Sequence, residues 1–584
     1  YSLKLTYQAL PGKGADIEFA VDLNGTRPFT EAGDIAFSRI WRDDLEPDEP
    51  FAVDSIGNDI VPDKVEVARY NEEPFRDKEG LYDAPYLFYF EKGENVIRLT
   101  GVRECAAVAE LTLYEEKQPV SYAEYAADVD TAAAASQTIG YSQNYQAERA
   151  DEYSTTVLTA TYDRGSAATE PSSPSVIRRN TLGGSGWAYG GQWAKWTIEV
   201  PQDGYYKIAL KYKQNFVRGL YTSRSVAIDG EILFDELGTV KFPYSNNWEI
   251  KTLGDGSGDF LFYLTAGSHD ITIEVVPGDM LESLAALDAV WEQLGDLYQK
   301  IVMITGANPD PYFDYDLAND IPNLLTDFQS LAKVLRDQTE ALEAVTGRSG
   351  SVANTLVQLA DQLERFAKKP YSIAPRLEEF RENISALAAW IQSRRQQPLQ
   401  LDYLTVYSAD QEAPTAGGGF FRELWYQVEL FCSSFLMDYN NVSGSDAYEE
   451  QIEVWIGAGR DQMYILRSLI DSGFSEEYDI GVTLKLVGAA ILPQAIMAGI
   501  GPDMALRGAL HPLEGFAGFD EVKERFMSTA LDPYTLGNSV YALPQTEIFH
   551  MLFYRTDVLS ELGLTPPDTW EDMYNMISIL QRNN

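Results

Sequence analysis

Chemistry in this 584-residue chain has to come from carboxylates, arginines and aromatic rings. Its three histidines, His269, His511 and His550, are scattered, which argues against His-dependent catalysis. Its two cysteines, Cys105 and Cys432, are far apart, so no disulfide framework and no Cys-based zinc site is implied; both are expected as small buried residues. Carboxylates are abundant, and four of them, Asp310, Asp314, Asp316 and Asp320, crowd one short stretch. That stretch lacks the Gly and terminal Glu of a calcium loop and reads as solvated loop. "GDGSGD" (254–259) reads as a hairpin turn. "GAGR" (457–460) lacks the Lys-Ser/Thr of a phosphate loop.

The elements that could position such groups follow from composition and periodicity. Apolar residues make up 45% and charged residues 23%, as in globular proteins. The length implies about three to five domains. With 89 acidic against 45 basic side chains the formal charge is −44, which excludes phosphate-neutralising nucleic-acid binders but leaves neutral ligands such as sugars. No apolar stretch is long enough to span a membrane, so membrane association is expected only through an anchor outside this sequence.

A repeat organises the first half. "YSLKLTY" (1–7) returns as "YKIALKY" (206–212), "FAVDLNGTRPF" (19–29) as "RSVAIDGEILF" (224–234), and "YLFYFEKGENVIRL" (86–99) as "FLFYLTAGSHDITI" (260–273). Apolar residues alternate within each copy, as half-buried strands require. Asn24-Gly25 and Asp229-Gly230 fall where tight turns join strands. Two related β units in tandem are expected, 1–120 and 138–280, the first lacking the lead-in strands that precede Tyr206 in the second. Heptad-spaced apolar residues such as Leu324, Phe328, Leu331 and Leu335 place a helical bundle at 281–398. A connecting segment is expected at 399–450. Strand–helix alternation from 451 to 584, with buried strands at 452–457 and 481–487, predicts an incomplete α/β domain.

The second β unit resembles jelly-roll carbohydrate-binding modules of the galactose-binding-like kind, through "QAERA" (146–150), "WAKWTIEVPQDGYYKIALKY" (193–212), "VAIDGE" (226–231) and "YLTAGSHDITIEV" (263–275). The resemblance implies a role for Glu148 in holding a structural calcium, and for loop aromatics, here Trp187, Tyr189 and Trp248, in stacking on sugar faces. Packing of these rings beneath long loops is the alternative. Family modules close with a strand carrying a calcium-binding Asp, whereas the sequence after 280 reads as a helix. No cofactor is therefore expected, with calcium in the second jelly roll left open.

The ordered set "GIGPD" (499–503), "YALP" (541–544), "LFYRTDVLSELGL" (552–564) and "PPDTWEDM" (566–573) resembles the extracellular solute-binding proteins of sugar ABC transporters. Asp557 is expected to cap a helix opening at Val558, Gly563 to end it, and Thr569 with Asp572 to form a capping box. The resemblance implies two lobes closing on an oligosaccharide or polysaccharide, transporter permease subunits as partners, and a cell-surface, extracellular location. It nominates Arg460, Asp503, Gln545, Glu547 and Tyr554 as ligand contacts, with no catalytic residues. Because 451–584 supplies under half of such a fold, the chain is expected to be a fragment that binds transport substrate weakly. The fold class is thus multidomain: two jelly-roll sandwiches, a helical bundle and a partial periplasmic-binding-protein-like domain. Two alternatives stay open, a glycan-binding envelope adhesin using the tandem β modules and a polysaccharide hydrolase with two carboxylates about 5–10 Å apart.

Overall fold

The computed structural model describes residues 1–584 except 13, 47–48, 54–56, 78–81, 83, 128–133, 135–136, 347–352, 418–419, 435–440, 444–449, 457–465, 467–469, 471–473, 475–477, 479, 487–507, 509, 545–550 and 583–584. The chain divides into two compact units, Tyr1–Met437 and Asp438–Asn584.

The repeat is visible in the backbone. Ser2–Ala9 and Gly204–Gln214 are the equivalent central strands of the two β modules. The turn pairs are matched: Asn24 and Gly25 have φ of 54° and 84°, Asp229 and Gly230 52° and 84°. Two consecutive left-handed residues make a turn whose twist suits a hairpin, and Asn-Gly or Asp-Gly meets that demand with little strain. Gly93 and Gly267 share φ values of 124° and 125°.

The first module folds two three-stranded antiparallel sheets over a core of Leu3, Leu5, Val21, Phe37, Phe75 and Phe88. The second is a sandwich of two larger antiparallel sheets. One sheet is continued into the first module, because Tyr153 pairs with Trp41 and Trp41–Asp43 pairs with Lys64–Glu66. Charged pairs reinforce the junction: Arg178 meets Asp59 at 2.5 Å and Arg76 meets Glu274 at 2.7 Å.

The other sheet overturns the expected boundary at 399. Residues Leu399–Ser408 form a strand lying between Thr181–Gly184 and Gly204–Gln214, and it also pairs with Ser142–Gln146. Leu399, Leu401, Leu404 and Val406 are buried in the jelly-roll core. The stretch read as a linker is therefore the closing strand of the second module, and that module is not contiguous. Four helices, Leu281–Thr305, Leu324–Thr346, Asn354–Lys368 and Leu377–Arg395, are inserted between its last two strands. The insertion packs around a core drawn almost wholly from its own helices, with Leu220 and Val217 of the sandwich at its edge. Phe328, Phe366 and Phe380 meet with ring centroids 5.4–5.8 Å apart within a separate buried core.

Further along, Phe420–Ser434 is a helix whose Glu423 carboxylate accepts from the Ser166 hydroxyl and the Ala167 amide at 3.1 and 3.0 Å. Cys105 and Cys432 are both exposed, contrary to expectation: Cys105 follows the left-handed Glu104 in a strand-joining turn, and Cys432 lies on this helix.

In the second unit Glu450–Ile456 and Ile480–Leu486 pair in parallel over Val482 and Leu484, as strand–helix alternation requires. Thr556–Glu561 is a helix, opening two residues before Val558; Gly563, with φ of 65°, follows its end. The helix Trp570–Arg582 opens on a capping box. Thr569 donates from its amide and hydroxyl to Asp572 at 3.0 and 2.6 Å, and the Asp572 amide returns a bond at 3.2 Å.

Candidate functional site

The nominated aromatics of the second module do not share one face. Trp187 is fully buried; its indole N–H donates to the Gln192 carbonyl at 3.1 Å, and the Arg224 guanidinium lies 4.7 Å from its ring centre. Trp248 is also buried, donating to Asp163 at 3.0 Å. Trp248 lies on the strand Ser245–Thr252 and not in a loop, and neither buried ring can stack on a sugar in this arrangement. Tyr189 differs, being 54% exposed. Its loop is pinned from below, since the Ala188 and Tyr189 amides both donate to the Gln192 side-chain oxygen at 2.9 and 3.0 Å. The Tyr189 hydroxyl accepts from Gln396 at 3.3 Å, leaving the ring face to solvent.

Glu148 sits in the short turn Ala147–Arg149 and is 2% exposed. Burial pushes its carboxyl well above the usual range, and the charge of Asp402 adds to that. One of its oxygens has no hydrogen-bond partner. Asp402, on the closing strand, is fully buried. It lies 2.9 Å from the Lys211 ammonium and accepts from the Glu170 amide at 3.2 Å. Lys211, also buried, donates to the Ala168 carbonyl and stands 4.7 Å from the centre of the Tyr403 ring.

The sequence reading missed Asp402 and Lys211 together, yet the repeat holds the signal. "ELTLY" (110–114) and "YLTVY" (403–407) are equivalent strands: Leu5 faces Leu111 in one module and Leu210 faces Leu404 in the other.

Burial pushes the Asp402 carboxyl up to about 6, against the pull of Lys211. A carboxyl raised in the folded state binds its proton more tightly there than in the unfolded chain. Its stabilising contribution is full below the unfolded pKa and is lost as pH rises through about 6. The melting temperature of the wild type, relative to Asp402→Asn, is therefore expected to fall between about pH 4 and pH 7, by an amount worth roughly 2–3 kcal/mol. Scanning calorimetry across that range checks it; a difference that rises with pH contradicts it.

In the second unit Arg460, Asp503, Gln545 and Glu547 lie outside the described residues. Tyr554 is 47% exposed, in a row with exposed Leu552 and Phe553. Among the described residues no group of three or more His, Cys, Asp or Glu side chains could hold a metal ion, and no helix is long and apolar enough to cross a membrane.

Residues 282–393 match the four-helix bundle domain of bacterial solute-binding proteins, and residues 457–583 match the bacterial extracellular solute-binding protein family. These two segments match models of one protein family, and the chain combines them with two β-sandwich modules. A putative binding protein of Brucella abortus (strain 2308) is 32% identical over 72 residues, 12% of this chain; a putative binding protein of Brucella suis biovar 1 (strain 1330) aligns equally. The chain spans 17% of the length of these curated relatives. Among solved structures, a family 35 carbohydrate binding module from Clostridium thermocellum is similar at 16% identity over 23% of this chain and 87% of that one, with a TM-score of 0.16. A family 35 module from Cellvibrio japonicus Abf62 is similar at 14% identity, over 23% and 82%, with a TM-score of 0.16.

Proposed function

We propose that this chain is the capture component of a bacterial ABC importer, that its solute is a neutral oligosaccharide, and that it acts outside the cytoplasmic membrane by non-covalent binding. The observation that carries the first part is the solute-binding match over 457–583, together with the parallel pairing of Glu450–Ile456 and Ile480–Leu486. Ligands of such sheets collect at the carboxyl ends of the strands, here beyond Ile456 and Leu486. The sugar assignment is supported by the interrupted jelly roll and by Tyr189, an exposed ring on a pinned loop. A pinned ring loses little entropy when a sugar face settles on it, and a sugar presents a C–H plane that suits the ring face. The charge of −44 favours neutral over anionic solutes. Permease subunits with their ATPase are the implied partners, and lobe closure the implied motion.

The test is glycan binding by the full chain, wild type against Tyr189→Ala. The variant is expected to bind roughly three- to tenfold more weakly to the oligosaccharide that the wild type prefers, the loss of about 1 kcal/mol of ring contact. Unchanged affinity for every glycan bound by the wild type removes Tyr189 from the account.

A further inference from the structure

The resemblance noted from the sequence implies a structural calcium held in part by Glu148, which sits beside the closing strand that carries Asp402. The residues present do not suit calcium. Calcium takes six to eight oxygen ligands and needs its carboxylates ionised. Here Glu148 is buried with one oxygen unpartnered, and Asp402, one oxygen of which likewise accepts no hydrogen bond, stands 2.9 Å from a cation that belongs to the protein.

We propose that the Lys211 ammonium is the built-in cation of this site, so that the closing strand is locked onto the sandwich without a metal. The geometry has three parts. Lys211 lies on the central strand Gly204–Gln214, beside the closing strand in the same sheet. Its ammonium is 2.9 Å from Asp402 and donates to the Ala168 carbonyl, so it takes a carboxylate and a backbone oxygen, the ligand types that calcium would use. Asp402 turns its other oxygen to the Glu170 amide at 3.2 Å, tying the 163–171 loop to the same point. A divalent ion brought to these oxygens would have to stand against the ammonium, and like charges at contact distance in a buried site repel strongly.

The repeat supports the assignment from a second direction. The residue equivalent to Lys211 in the first module is Thr6, which is not charged, and Thr6 pairs with Glu110 on that module's last strand. A lysine at this position is therefore not a demand of the strand itself; it accompanies the buried Asp402. Burial of one charge of each sign, with both hydrogen-bonded, is the arrangement in which an internal pair is tolerated, whereas removing one partner leaves an uncompensated charge.

The experiment is a double-mutant cycle on the full chain, melted in EDTA and in millimolar calcium chloride at neutral pH. Lys211→Met is expected to lower the melting temperature of the β unit by on the order of 10 °C. Lys211→Met combined with Asp402→Asn, which removes both charges, is expected to recover more than half of that loss. Should Lys211→Met alone fail to fold, a double variant that folds is itself the expected rescue, and one that also fails to fold overturns the proposal. Acidic surfaces bind calcium diffusely, so the double variant is also the reference for the metal arm. The calcium-minus-EDTA shift is expected to be equal in wild type and double variant. A larger shift in the wild type, or a Lys211→Met variant as stable as wild type in EDTA, overturns the proposal.

Discussion

A chain ending at Pro398 is expected to lose the second jelly roll altogether, while one ending at Asp410 keeps it. The segment between these ends, 399–410, contains the closing strand, whose Leu399, Leu401, Leu404 and Val406 are fully buried in the sandwich core. At roughly 1.5–3 kcal/mol for each buried side chain, their removal costs on the order of 10 kcal/mol, before any ladder bond is counted. That matches the whole stability of an ordinary domain. The strand is also central: without it Gly204–Gln214 loses a partner from Tyr206 to Lys213, and both Thr181–Gly184 and Ser142–Gln146 lose theirs. The inserted bundle has a separate core, so its helical signal is expected to survive in the shorter chain. Circular dichroism and calorimetry on the two chains test this. A Pro398-ended chain that retains the cooperative melt of the β unit contradicts the insertion topology.

Trp187→Ala is expected to destabilise the second module by about 3–5 kcal/mol, the range for removing a large buried aromatic side chain. The ring is fully buried, packs 6.4 Å from Trp196, and covers the Arg224 guanidinium, which is itself fully buried and has no carboxylate partner among the described residues. Burial without a counter-charge pulls the Arg224 pKa down to about 9, so the ring face and the Ser223 and Trp187 carbonyls carry its charge. Loss of the indole both opens a cavity and strips one face from a buried cation, and the two costs add. A stacking residue behaves differently: its removal weakens sugar binding and leaves the melting temperature nearly unchanged. Thermal melts and glycan titrations of the same variant separate the two roles. A stable Trp187→Ala protein with lost sugar affinity returns Trp187 to the ligand site.

The sequence is legible wherever a local rule and the global packing agree. Heptad-spaced leucines mark the bundle, since a helix face that packs must be apolar. Paired turns mark the duplicated modules, because only a few residues accept two left-handed conformations in succession. The capping box at Thr569 needs no tertiary information, since its bonds join Thr569 only to nearby Asp572. What was hidden was long-range. The closing strand is separated from its partner strands by an entire helical domain, and a segment of that kind beside a polar stretch reads as a connector. Only its likeness to "ELTLY" in the first module betrays it. Trp187 and Trp248 misled for the same reason: ring type announces an amphipathic side chain, and whether it faces solvent depends on residues elsewhere. Asp402 and Lys211 are far apart in sequence and are joined only by sheet register. In the segment 457–583 the ordered motifs agree with the family match there, while four of the five nominated contacts lie outside the described residues.

The central claim is that this chain captures a neutral sugar. Titration calorimetry of the full chain against neutral oligosaccharides, acidic oligosaccharides and short peptides tests it directly. The account predicts saturable heat with at least one neutral oligosaccharide and none with the acidic sugars or peptides. Saturable binding of peptides or anions, with no heat from any neutral oligosaccharide, contradicts it.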